Sequence, residues 1–218
     1  MAEFDDVFFR AHIDTPFVLV GAADRQSAIQ AATQRAALLA SLGDHVVTLS
    51  SSNTFSYVKR KVPLRQYVDE MRNIDQVHVS NSPHLSNETF YHFGNTDPVV
   101  WGPLLDLYVL PPLANQHERV ALSFGVGPDA SGVQVHVHGP VWAETLFGRK
   151  RWFLFAPATT PRFDPDARSV SWIDDVEQRE ALGALDCTLG PGEILWIPNM
   201  WWHATLNYGE TVFVSAFV

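Results

Sequence analysis

The chain reads as mostly β, a small barrel or two-sheet jelly roll with an α/β extension in front of it. Three observations carry this. From Glu118 onward the sequence breaks into short apolar runs separated by glycine and proline turns, a spacing that makes strands. Mixed helix and strand patterns occupy residues 1–116 instead. A length of 218 residues with 46% hydrophobic content supports one large core. Residues 1–116, the extension, and 117–218, the β-rich half, are therefore expected to form one structural domain.

The elements follow in order. Pro16–Gly21 is a short buried strand ended by Gly21. Asp24 is placed to cap a helix whose apolar stripe is Ile29, Ala32, Ala36 and Leu39, with Gly43 at its stop. Val46–Leu49 returns as a strand. Pro63 suits the first position of a second helix carrying Leu64, Tyr67, Val68 and Met71. Trp101–Pro112, apolar and broken by prolines, is expected to cover the rest. Strands are then expected at Val120–Val126, Val133–His138, Glu144–Phe147, Arg151–Phe155, Asp186–Leu189, Ile194–Ile197, Trp202–Asn207 and Thr211–Phe217. Between the fourth and fifth lies a Pro- and Asp-rich insertion, Ala156–Leu185, which contains Trp172 and has room for one short helix. Insertions of that length in compact barrels are more often functional than idle.

Composition narrows the function. With 24 acidic against 15 basic residues, the net charge is −9 and the isoelectric point about 5.4, which argues against a general nucleic-acid binder. A protein or peptide substrate is compatible with that surface, though charge alone does not select one. No apolar run reaches the roughly 18 residues a membrane-spanning helix needs. Cys187 is the single cysteine, so no internal disulfide can form and a buried, inert thiol is expected. The start Met1–Asp6 has neither a basic nor an apolar leader region, which suits an intracellular chain or one trimmed of its leader. Asn87-Glu88-Thr89, within the polar loop Val79–Thr89, is a glycosylation sequon of the kind secretory proteins carry. A monomer is expected.

The chemistry sits in the histidines. His136 and His138 are two apart, so on a strand both rings point the same way and can converge on one ion. His203, on the frame Gly192, Pro198, His203, Asn207, can close a third corner. Three protein ligands with open positions belong to a catalytic metal; otherwise the three are interior histidines satisfied by hydrogen bonds. Asn207 shares the His203 face by period-two counting and can orient ligands, or else satisfy backbone near Gly209. Trp142, Trp152, Trp201 and Trp202 can line a mouth, although strand aromatics are usually core, Trp152 above all. His12, His45, His78, His84, His92 and His117 lack convergent spacing and receive no role.

These residues resemble the JmjC family, the jumonji-type cupins that are Fe(II)- and 2-oxoglutarate-dependent oxygenases. The resemblance runs over nearly the whole chain. It rests on Pro16–Gly21, the His136 and His138 pair, Gly148-Arg149-Lys150-Arg151-Trp152, Pro191-Gly192-Glu193-Ile194-Leu195, and Trp201-Trp202-His203 with Asn207. Ser41-Leu42-Gly43-Asp44, Asn53-Thr54-Phe55-Ser56-Tyr57, His138-Gly139-Pro140 and Trp202–Asn207 resemble, more narrowly, a branch of the family found in the endoplasmic reticulum lumen. The resemblance implies a double-stranded β-helix whose mouth holds Fe(II), with 2-oxoglutarate and O₂ as co-substrates and a protein hydroxylase activity. His136 and His203 match its histidine ligands, and Lys150 matches the lysine that binds the far carboxylate of 2-oxoglutarate. Read without the resemblance, Lys150 is a solvated turn residue between Arg149 and Arg151. Tyr108 can hydrogen-bond the same carboxylate, or be structural.

Two positions depart from the family pattern. The middle ligand is His138 where a carboxylate is usual, and the residue three before the first histidine is Val133 where Thr or Ser is common. A neutral imidazole in place of a carboxylate donates less to iron, so metal binding should survive better than oxygen activation. That leaves open a weak or inactive regulatory binding protein on the same scaffold. Cupins outside the JmjC group suggest a third reading, with Glu144 as a fourth ligand of a metal site that does not use 2-oxoglutarate. Gly139-Pro140 is expected to break the strand before Glu144, which favours three ligands.

Overall fold

The computed structural model describes residues 6–21, 23–53, 55–56, 58–78, 89–94, 97–167 and 176–218. The Asn87 sequon, His84, Trp172 and nearly all of the loop 79–89 lie outside them. The extension begins with helix α1 (Asp6–His12), strand β1 (Phe17–Leu19), a 3₁₀ turn (Ala23–Gln26), α2 (Ser27–Thr33) and α3 (Arg35–Leu42). It continues with β2 (Val46–Ser51), β3 (Lys59–Pro63), α4 (Leu64–His78), β4 (Phe90–Phe93), α5 (Pro98–Leu105) and a second 3₁₀ turn (Pro112–Gln116). The β-rich half holds β5 (Ala121–Gly127), β6 (Val141–Phe155), α6 (Val176–Ala181), β7 (Leu185–Leu189), β8 (Ile194–Ile197) and β9 (Trp202–Phe217).

All nine strands belong to one antiparallel sheet of order β1-β8-β6-β9-β5-β4-β2-β3, with β7 on β6, a mostly antiparallel jelly roll. Strands of the extension thus continue the sheet of the β-rich half. The core does the same: Ile29, Leu64, Tyr67, Met71 and Trp101 share one buried cluster with Phe124, Leu146 and Val214. The chain start is stitched down as well. Trp196 Nε1 donates to Ile13 O at 3.0 Å, Trp201 Nε1 to Asp14 O at 3.2 Å, and Phe9 packs edge-on against Trp196.

Several elements differ from the sequence expectation for identifiable reasons. The first helix is two: Gln34 takes φ −54°, ψ 137°, an extended conformation that ends α2 and restarts α3. The cap position is Gln26 at the end of the 3₁₀ turn, two residues past Asp24. Gly43 does end α3, but at a right-handed φ of −58°, so its role is space: a Cβ there would lie 2.3 Å from Leu39 O. Pro63 closes β3 one residue before α4, whose Leu64, Tyr67, Val68 and Met71 are buried as the stripe required. Residues 101–112 begin inside helix α5 and pack on the core through Trp101, Leu104 and Tyr108. Asp97 caps α5 by accepting from Val99 N at 2.9 Å, and the helix drives Trp101 and Leu104 into the core.

The expected strand Val133–His138 is a single bridge, His136 to His203. Val133 O accepts from Thr205 N and His136 O from His203 N, so three steps on this segment match two on β9. That extra residue is a bulge, and it interrupts the ladder.

Four expected strands are really two long ones, β6 and β9. Gly148, with φ +75°, makes an irregularity inside β6 and not a turn between strands. Its consequence is a change of phase. Val141 lines the central cavity before the irregularity, and Lys150 and Trp152 line it afterwards, while Glu144 and Leu146 face the other way. A regular strand would have put Glu144 and Lys150 on one face. Gly148 allows no side chain: a Cβ would sit 2.3 Å from Glu210 O, and the left-handed backbone penalises any other residue. Gly148→Ala is expected to destabilise by at least about 1–2 kcal/mol from the backbone alone. Urea unfolding measures this, and an unchanged midpoint would show that the irregularity tolerates a Cβ.

Candidate metal centre

Three imidazoles meet at the inner end of β9. His136 and His203 are held opposite one another by a reciprocal backbone pair, N to O at 2.9 and 2.8 Å, with ring centroids 4.1 Å apart. His138, two residues on, brings its ring to 4.6 Å from His203 and 5.3 Å from His136. The ligand atoms of all three lie within 4.8 Å of one another. The bulge before His136 disturbs the ladder but not the two-residue spacing that aims both rings inward.

The rings are also fixed in tautomer. Each Nδ1 faces a backbone carbonyl: Gln134 O at 2.8 Å for His136, Gly139 O at 2.7 Å for His138, Trp201 O at 2.8 Å for His203. A carbonyl only accepts, so each Nδ1 carries a hydrogen and each ring turns its Nε2 to the cavity. His138 and His203 place those Nε2 atoms 3.1 Å apart. Two lone pairs at that distance repel unless a cation lies between them. A proton is disfavoured, because burial pushes His136 down to about 4 and His203 well below its ordinary value. A transition ion fits: bonds of about 2.1 Å at right angles place neighbouring nitrogens about 3.0 Å apart. Carbonyls on the outer nitrogens are the usual support of metal-bound imidazoles.

Lys150 stands further along the same cavity wall, paired across the ladder with Asn207. It is 3% exposed, so it is no solvated turn residue. Its Nζ donates to Asn207 Oδ1 at 2.9 Å and lies over the Phe213 ring at 4.1 Å. Asn207 cannot flip, since its Nδ2 donates to Ser131 Oγ at 2.9 Å and that hydroxyl donates to Pro128 O at 2.7 Å. Asn207 therefore holds the lysine and not the histidines. Among the described residues no carboxylate pairs with Lys150. Burial pushes its ammonium down to about 7. A desolvated cation facing a cavity without a counter-charge is a receptor for an anion.

Glu144 and Tyr108 are elsewhere. Glu144 is fully buried on the opposite face of β6, where its Oε2 accepts from Arg25, Gln26 and Tyr108 at 3.0, 3.0 and 2.7 Å. The phase change in β6 separates Glu144 from the face that Lys150 occupies, and Tyr108 is held on the Glu144 side by its hydrogen bond to that carboxylate. The fourth-ligand arrangement consequently lacks its carboxylate. Tyr91, Phe93 and Phe213, cavity residues absent from the sequence reading, come from β4 and the far end of β9. The aromatic run Phe90-Tyr91-His92-Phe93 is the one feature that could have flagged the first two. Trp152 both packs in a buried aliphatic cluster and lines the cavity. Trp142 is core, and Cys187 has its thiol pushed up to about 11 by burial, which leaves it inert.

The fold and the three-histidine cavity define a cupin, and the cupin-like domain family matches residues 6–217. Within it, the chain belongs to the JmjC group. It is 40% identical over 205 residues to JmjC domain-containing protein 8 of Rattus norvegicus, covering 93% of this chain and 74% of the relative. The Homo sapiens protein of that name is 40% identical over 205 residues, 93% and 75% of the two chains. A shorter match, 31% over 113 residues, covers 42% of this chain and 28% of the bifunctional arginine demethylase and lysyl-hydroxylase psr-1 of Caenorhabditis briggsae.

The uncompensated ammonium makes a prediction about stability. A lysine held at about 7 against an ordinary 10.5 binds its proton less readily folded than unfolded, so it penalises the fold fully below pH 7. That penalty fades as pH rises towards 10.5. Lys150→Met should therefore raise the thermal midpoint near pH 6.5, by roughly 2–4 °C per kcal/mol relieved. The gain should shrink in melts at pH 9.5. A variant destabilised equally at both values would show that the ammonium is satisfied in the folded chain.

Proposed function

We propose that this chain is an Fe(II)- and 2-oxoglutarate-dependent oxygenase that hydroxylates a protein or peptide. The observation that carries the reading is the pairing of two unmet demands in one cavity. Three Nε2 lone pairs converge where only a cation relieves them, and one buried ammonium lacks a counter-charge. Their separation along β9, from His203 to Asn207, runs four residues, or about 13 Å between backbone positions. A five-carbon diacid chelated at one end and anchored at the other suits that span once both side chains reach inward. The psr-1 relative is named for reactions on arginine and lysine, which supports a protein substrate.

Each residue has a distinct task. His136, His138 and His203 would hold the metal as neutral donors, and the carbonyls behind them keep the rings aimed. Lys150 would neutralise the far carboxylate, with Asn207 fixing the direction of its ammonium. Phe217, 5.3 Å from the His138 ring, would wall the metal end, and Phe213, under the Lys150 ammonium, the anchored end. Bound there, iron and 2-oxoglutarate would let O₂ serve as the oxidant, with two electrons given by 2-oxoglutarate as it becomes succinate and CO₂ and two by the substrate that is hydroxylated.

A second reading keeps its footing on His138. With an imidazole in place of a carboxylate, the three ligands carry no negative charge, so the site suits binding better than turnover. On that reading the chain is a regulatory binding protein. Anaerobic titration with Fe(II) and then 2-oxoglutarate separates the two. The oxygenase reading expects a visible charge-transfer band and release of succinate in air. His203→Ala should lose iron, and Lys150→Ala should keep iron while weakening 2-oxoglutarate. Metal uptake without the band or succinate would favour the binding protein, and native affinities in both variants would mean that the site is misplaced. His138→Asp should increase succinate release if the missing charge is what limits turnover; no increase would remove that explanation.

A further inference from the structure

The segment that carries His136 leaves the ladder just before it reaches the site. Asn207 N donates to Ser131 O at 2.7 Å and Thr205 N to Val133 O at 2.9 Å, and His136 and His203 exchange both of their bonds. Between Val133 and His136 stand Gln134 and Val135, whereas β9 has only Ala204 between His203 and Thr205. Main-chain donors pushed out of the ladder by such a bulge need acceptors elsewhere. Buried side chains supply them. Gly132 N donates to Ser52 Oγ at 3.4 Å, Val133 N to Thr205 Oγ1 at 2.9 Å, and Val135 N to Gln134 Oε1 at 2.9 Å. Thr205 holds Val133 from both sides, since its hydroxyl takes the Val133 N–H and its own N–H meets the Val133 carbonyl.

The bulge has a use at the metal end. Gln134, standing outside the ladder, turns its carbonyl onto His136 Nδ1 at 2.8 Å. In a regular antiparallel register Gln134 would stand opposite Thr205, and the same carbonyl would accept from Thr205 N instead.

We propose that Thr205 is a positioning residue for the metal centre: its hydroxyl, by taking the Val133 N–H, fixes the bulge that lets the Gln134 carbonyl orient His136. The proposal rests on the metal-centre reading above and extends it to a side chain that is not itself a ligand. Without the hydroxyl, Val133 keeps a single bond to Thr205, and the segment is free to slip one residue into the regular pairing. His136 then loses the acceptor behind its ring, and with it the fixed direction of its Nε2.

The test reads Zn(II) affinity by calorimetry on the full chain, which needs neither iron nor turnover. Thr205→Val keeps the shape of the side chain and removes the acceptor. It should bind Zn(II) about tenfold or more weakly, and its Val133 amide should exchange faster with deuterated solvent. Thr205→Ser keeps the hydroxyl and loses only the methyl group, so it should bind Zn(II) as the parent does. An α-hydroxy acid at position 133 replaces the N–H by an ester oxygen, deleting the donor instead of the acceptor. It should reproduce the Thr205→Val loss, and it keeps the test decisive where that variant fails to fold. Equal Zn(II) affinity in the parent and in Thr205→Val overturns the proposal and leaves the metal centre standing. An equal loss in Thr205→Ser also overturns it, because that outcome marks packing by the methyl group. A parent that takes up no Zn(II), or whose uptake survives His203→Ala, overturns the metal-centre reading and this proposal together.

Discussion

Everything in the site hangs on the antiparallel ladder between β6 and β9. Its register decides that Lys150 meets Asn207, that Trp152 meets Thr205, and that Leu154 meets His203. A slip of one residue would turn the ammonium out to solvent and the metal ligand into the barrel wall. Two devices hold the register. One is the irregularity at Gly148, which no side chain can enter. The other is the reciprocal backbone pair of His136 and His203, which ties a bulged, non-strand segment to the end of β9. Geometry at the metal end therefore depends on main-chain bonds more than on side-chain packing.

The chemistry follows from what the cavity withholds. Two of its imidazoles, His136 and His203, are held neutral by burial, its walls are largely aromatic, and among the described residues no carboxylate answers Lys150. In a low-dielectric enclosure such omissions are strong interactions waiting for a partner. A ligand that brings negative charge to both ends is favoured, and a basic one is disfavoured. Replacing the usual carboxylate ligand by His138 sharpens this preference by removing the one negative charge that the protein would otherwise provide.

Much of this was legible in the residues, and the failures have a common origin. The jelly roll and the histidine trio are readable because they depend on local spacing: two residues between ring partners, period-two apolar alternation in 121–127 and 185–189, and a continuous buried apolar run in 194–197. Lys150 is readable through the family resemblance. What local spacing cannot reveal is phase across an irregularity. Glycine at 148 reads as a turn, which divides β6 in two and leaves open the alternative of Glu144 as a fourth ligand beside the three histidines. β3 escaped because Lys59-Arg60-Lys61 is a charged run, which is how an edge strand protects itself. Asn207 was placed on the right face, but its partner is set across strands and has no trace in sequence order. Trp152 was read as core, and it is; that it also borders the cavity could not be seen without the third dimension.

Glu144 carries a last implication. It is a carboxylate with no exposed surface, planted in the half that carries the three histidines, and its partners Arg25, Gln26 and Tyr108 all come from the half before it. Cut between the two and the β-rich piece inherits a bare charge in oil. The halves are in this sense a lock and its only key, and the scaffold can diversify at its loops but not be reduced to its barrel.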